Sequence, residues 1–93
     1  MPIIRGGTAG DLRTVAAIQN TCPEAAHWNP ADYLAYRFLV AEGETGVEGF
    51  VVVRAVASDE FEILNIAVAP EFRRRGVARA LLSAVLHDCQ GRF

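Results

Sequence analysis

A chain of 93 residues holds one small domain with a thin core. At 52% apolar and 22% charged it is composed to fold, which excludes a disordered segment. Its formal net charge is −2, with arginine as the only basic residue type, so overall charge offers nucleic acid no footing.

Residues 2–5, "PIIR", are short and β-branched and run into Gly6-Gly7, which predicts a first strand and its turn. Thr8 then opens a helix as N-cap, with Asp11 at the third helical position in a variant of the capping box. Leu12, Val15, Ala16 and Ile18 fall on one stripe of that helix, and Pro23 stops it. Asn29-Pro30 signals a second, short helix to about Tyr36, with Tyr33 and Tyr36 as packing residues. "RFLVAE", "VEGFVVVRAVA" and "FEILNIAVA" read as three strands joined by the turns "GETG" and "SDE", hence as antiparallel hairpins. Residues 77–88 read as a helix burying Val77, Leu81, Leu82, Val85 and Leu86, with Gly91 as its stop. The pattern is an α+β arrangement of helices against a mostly antiparallel sheet, in a single domain over residues 1–93.

Cys22 and Cys89 form neither a C-x-x-C pair nor a metal-ligand spacing. Free thiols in a reducing cytoplasm, with no metal, are therefore expected. No apolar run approaches the roughly 18 residues of a membrane span, and "MPIIRGG" lacks a signal peptide's basic start and apolar core. No membrane partner is expected. His27 is expected in a loop, and His87 as a complement to the dipole of its helix.

The densest chemical signal is "APEFRRRGVARALLSAVL". Arg73, Arg74 and Arg75 lie between the end of a strand and the start of a helix, where unpaired N–H groups make an anion site. Gly76 removes a side chain where a ligand could approach the backbone, and Ala78 keeps the next inward position small. With Arg79 nearby, R-x-x-G-x-A has the parts of a pyrophosphate cradle. It is not a P-loop, since no Lys-Ser/Thr pair follows the glycine, nor a dinucleotide fingerprint, which needs more glycines. Alone, the triplet reads equally as a solvated face.

As a whole, "ILNIAVAPEFRRRGVARALL" resembles the core motif of the GNAT superfamily of N-acetyltransferases. "NIAVAP" is similar to the branch that acetylates the N-terminal alanine of ribosomal proteins. The resemblance spans roughly residues 2–90 and is sharpest from 62 to 82. It implies a GNAT-like fold and acetyl-CoA as cosubstrate, with a primary amine, such as a protein N-terminus, as acceptor. It also implies that Ile66, Ala67 and Val68 bind the pantetheine arm through their backbone. Arg73, Arg74, Arg75, Gly76, Val77, Ala78 and Arg79 would hold the pyrophosphate, backbone amides dominating.

Glu62 matches the position of a glutamate base in the histone-acetylating branch; its other reading is an outward-facing strand carboxylate. As a base it would need burial, which Phe61, Ile63 and Leu64 are placed to supply. A backbone N–H near Ile66 is the family's donor to the thioester oxygen. Trp28, in "HWNPADY", would either wall the acceptor site or plug the core. Family members continue through a fifth strand and beyond, so the resemblance implies the N-terminal two-thirds of the fold, with "QGRF" approaching that strand. The sheet would then end on an apolar edge, from which a homodimer or higher oligomer is expected. A coenzyme-binding or structural domain without turnover is the alternative to an active transferase.

Overall fold

The computed structural model describes residues 2–23, 28–58 and 60–92, with the backbone alone for 88–92. It contains strands β1 (Ile3–Gly6), β2 (Arg37–Gly43), β3 (Gly46–Ala57) and β4 (Glu60–Val68), and helices α1 (Leu12–Asn20) and α2 (Val77–Arg92). Short 3-10 segments cover Ala9–Asp11, Pro30–Ala35 and Pro70–Phe72. The strands form one sheet in the order β1-β2-β3-β4, every pair antiparallel.

Strand alternation explains the long apolar runs. Phe38 and Val40 of β2, with Phe50 and Val52 of β3, face Val15 and Ile18 of α1. Leu39 and Ala41, with Val51 and Val53, face Val77, Leu81 and Val85 of α2. Successive strand residues point to opposite faces, so a sheet covered by a helix on each side needs unbroken apolar stretches. The α2 contact takes only the 77/81/85 stripe. Leu82 is half-buried and Leu86 is exposed, so the expected burial of Leu86 is corrected. Gly91 does not stop α2, which runs on to Arg92 and takes in the first three residues of "QGRF". A helical glycine costs only about 1 kcal/mol against alanine, too little to end a helix by itself.

The N-terminal turn closes as Thr8 and Asp11 suggest, though the first turn is 3-10. The Thr8 N–H donates to Asp11 Oδ2 at 2.8 Å, and the Arg5 guanidinium donates to both carboxylate oxygens at 2.8 and 2.9 Å. The Arg5 bonds hold the Asp11 carboxyl at about 2, below its ordinary 3.8, against the opposing effect of burial. Arg5 also reaches Glu42, which ties β1, the 3-10 turn and β2 together.

One irregularity in β4 decides which way its residues face. Val52 pairs with Asn65 and Val53 with Ile63, so Leu64 is inserted as a β-bulge. Ile66 packs toward α2, as does Phe61. Glu62, next to Phe61, therefore lies on the face opposite Ile66. Plain alternation would have put these two residues, four apart, on one face.

Candidate functional site

The site begins where β4 ends. The Ala69 N–H donates back to Glu48 O at 2.8 Å, so by antiparallel alternation the N–H and C=O groups of Ile66 and Val68 face away from β3. That open edge is partly closed from within. The Ile66 N–H donates to the side-chain oxygen of Asn65 at 3.0 Å. The Val68 carbonyl accepts from Arg73 Nε at 3.2 Å and from the Cys22 thiol at 3.6 Å.

The chain then turns through Pro70–Phe72 and the arginine triplet. Arg74 has φ 66° and Gly76 φ 81°, both left-handed, with Arg75 between them on the ordinary side. A left-handed arginine is strained by roughly 1–2 kcal/mol, the kind of backbone found at ligand loops. The first bond of α2 runs from Ala80 N–H to Gly76 O at 2.9 Å, which leaves the amides of Val77, Ala78 and Arg79 without an intrahelical acceptor. A Cβ built on Gly76 would meet nothing within 4 Å, so the space over the helix start is open.

These groups surround a depression of about 510 Å³ lined by Val68, Arg73, Arg74, Gly76, Val77, Ala78 and Arg79. Arg74 and Arg79 are exposed on it. Arg75 is not part of its lining: the guanidinium lies 5.8 Å from the Phe72 ring centroid and faces a neighbouring depression beside Glu44 and Glu48. Ile66 and Ala67 also lie outside the lining, with the Ala67 side chain packed in the α1-side core. A helix start with spare amides, an open glycine and two exposed arginines is suited to a polyanion such as a pyrophosphate.

Glu62 is half-exposed and ion-paired with Arg54, its cross-strand partner. Phe61, Ile63 and Leu64 do not enclose it as expected, because the bulge turns Phe61 toward α2 while Leu64 packs on the α1 side. Trp28 is 39% exposed, not a core plug. His27 and the side chain of Cys89 lie outside the described residues, and His87 is exposed on α2. Among the described residues no cluster of three His, Cys, Asp or Glu could hold a metal, and no helix is long and apolar enough to cross a membrane.

A second feature was not anticipated. Gln19, Tyr33 and Asn65 form a buried polar cluster beneath β4. Asn65 Nδ2 donates to Tyr33 Oη at 2.9 Å and to Gln19 Oε1 at 3.1 Å. Tyr33 Oη donates to Gln19 Oε1, and Gln19 Nε2 donates to the Trp28 carbonyl at 2.8 Å. Burial pushes the Tyr33 hydroxyl above its ordinary value, with the Asn65 bond pulling it partly back, so it stays protonated and can donate. The sequence carried a signal for it. Gln19 sits four residues after Val15 on the apolar stripe of α1, and Asn65 interrupts an apolar strand.

A family model, described as an acetyltransferase (GNAT) domain, matches residues 35–93. The chain belongs to the GNAT acetyltransferase family. This GNAT domain superposes on the ribosomal-protein-S18-alanine N-acetyltransferase of Escherichia coli with TM-score 0.84 and 24% identity, over 99% of this chain and 61% of that one. It is similar to Ard1 from Thermoplasma volcanium, at TM-score 0.86 and 30% identity over 97% of this chain and 64% of that one. Rv2747 from Mycobacterium tuberculosis, solved in complex with CoA, matches at TM-score 0.83 and 22% identity over 97% of this chain and 58% of that one. The GNAT domain thus spans about three fifths of the length of these proteins. No curated protein sequence matches it.

Proposed function

We propose that this GNAT domain binds acetyl-CoA and takes part in acetyl transfer to a primary amine, with a protein N-terminus as the acceptor class. The observation that carries this reading is the open start of α2, where the amides of Val77, Ala78 and Arg79 and the bare Gly76 border one depression with Arg74 and Arg79. In this reading those amides receive the pyrophosphate, while Arg73, Arg74, Arg75 and Arg79 add positive charge around it. The outward backbone groups of Ile66 and Val68, with Ala67 between them, take the pantetheine arm.

In the transfer itself, the amine nitrogen bonds to the thioester carbonyl carbon. The carbon–sulfur bond breaks, the sulfur leaves as thiolate, and the ammonium proton goes to a base. The Ile66 N–H is the donor for the oxyanion. Glu62 is the assigned base, acting through water since it is solvent-exposed. Trp28, exposed beside the helix start at Pro30, walls the acceptor. The cytoplasm is the proposed setting. Two copies pairing through the β4 edge make the proposed dimer, and a monomer in light scattering would sink that part.

The alternative is a coenzyme-binding domain without turnover. It is favoured by Glu62, whose half-exposed ion pair with Arg54 supplies no burial to a base. A thermal-shift titration with acetyl-CoA tests the shared step. Ligand at about 100 times its dissociation constant stabilises the fold by about 2.7 kcal/mol, and Gly76→Glu, which sets a carboxylate over the helix start, abolishes the shift. No shift at millimolar ligand removes both readings. A shift with no acetylation of any N-terminal peptide leaves the alternative.

A further inference from the structure

We propose that the buried Gln19–Tyr33–Asn65 cluster is the positioning device of the acyl site, holding the Ile66 amide and the Trp28 segment in one frame. The proposal rests on the acetyltransferase reading above and adds three residues to it.

Location is the first argument. The bulge at Leu64 breaks the β3–β4 ladder next to Asn65 and hence one residue before the amide that faces the open edge. A peptide plane beside a bulge lacks the regular pairing that would otherwise orient it. Asn65 supplies what is missing. Its Oδ1 accepts from the Ile66 N–H at 3.0 Å, and its Nδ2 is gripped by both Tyr33 Oη and Gln19 Oε1. A side chain held at one end by two buried partners cannot swing away, so its oxygen is a fixed reference and not a latch.

Chemistry is the second argument. Burying three polar side chains gains nothing over apolar packing unless every group is satisfied, and a satisfied network specifies one arrangement. No buried side-chain nitrogen or oxygen among the described residues lacks a partner. Leucine and phenylalanine would fill this space, but they would not aim an amide. The third argument is reach. Gln19 Nε2 holds the Trp28 carbonyl at 2.8 Å, so the same cluster anchors the segment proposed to wall the acceptor. One rigid group thereby fixes both sides of the reacting centre, the kind of pre-set geometry on which orientation effects depend.

The test compares the 93-residue chain with its Asn65→Ala and Tyr33→Phe variants, by calorimetric titration with acetyl-CoA and with CoA and by amide hydrogen exchange. The two ligands differ only in the acetyl group, whose carbonyl the Ile66 amide would receive. A positioning role predicts that Asn65→Ala lowers the acetyl-CoA to CoA affinity ratio roughly fivefold while CoA affinity stays within about twofold. Exchange at Ile66 quickens roughly tenfold, with Ala67, paired to Phe50 in the ladder, unchanged. Tyr33→Phe keeps the ring and gives the same pattern more weakly; should Asn65→Ala fail to fold, it carries the test. An unchanged ratio in folded variants overturns the proposal, even where stability falls. If the parent chain binds neither ligand, the acetyltransferase reading falls instead. Exchange at Ile66 then decides alone whether the cluster holds the amide, and unchanged exchange overturns that too.

Discussion

Arg73 Nη2 stands 3.0 Å from the sulfur of Cys22, and Arg73 Nε donates to the Val68 carbonyl at 3.2 Å. The first arginine of the triplet is thus engaged with the protein's own edge strand. Arg75 is stacked over Phe72, and Arg74 and Arg79 are left as the exposed cations beside the helix start. Adjacent arginines in sequence have separate tasks because the left-handed turn at Arg74 sends neighbouring side chains in different directions.

That division predicts opposite phenotypes. Arg73→Gln should lower stability by about 1 kcal/mol through its lost hydrogen bonds, with acetyl-CoA affinity changed less than about threefold. Arg79→Gln should leave the melting temperature alone and weaken acetyl-CoA by roughly tenfold, the worth of one charge-assisted contact. Thermal melts and calorimetry on both variants check this, and the reverse pattern would refute it.

Gly76→Ala separates backbone from space. At φ 81° an alanine is strained, yet its Cβ has no atom within 4 Å to strike. The expected cost is about 1 kcal/mol, or roughly 4–8 °C in melting temperature for a domain of this size. A neutral result would mean that the loop relaxes out of the left-handed region.

Asp11 sets an acid limit. Its carboxyl titrates at about 2 when folded, against an ordinary 3.8, so the unfolded chain takes up the proton first as pH falls. Its contribution, about 2 kcal/mol, is complete above about pH 4 and disappears toward pH 2. The stability difference between the parent and Asp11→Asn, from denaturant melts at pH 5, 3 and 2, should shrink over that interval. A difference independent of pH would contradict the assignment.

Two leucines of α2 make a packing control. Leu81 is fully buried against the sheet, and Leu86 is 51% exposed. Leu81→Ala should cost about 2–5 kcal/mol and Leu86→Ala no more than about 0.5 kcal/mol. Equal losses would mean that the exposed face of α2 is covered in solution.

Local chemistry was legible in the letters because its causes are local. The Thr8–Asp11 turn, the proline at the start of the Pro30–Ala35 segment, the meander and the helix start at Val77 each follow from a few adjacent residues. So does the open glycine of the candidate cradle, since a glycine between arginines and an apolar helix carries its meaning within ten residues. Tertiary structure alone decided what depends on partners distant in sequence. The face of Glu62 was set by a single inserted residue, Leu64, which no alternation rule foresees. The separation of Arg73 from Arg79 needed Cys22, some fifty residues away, to come beside the strand end. The Gln19–Tyr33–Asn65 cluster joins a helix, a 3-10 turn and a strand. Each residue alone reads as a polar break or a packing aromatic, because a hydrogen-bond network is a property of the assembled core.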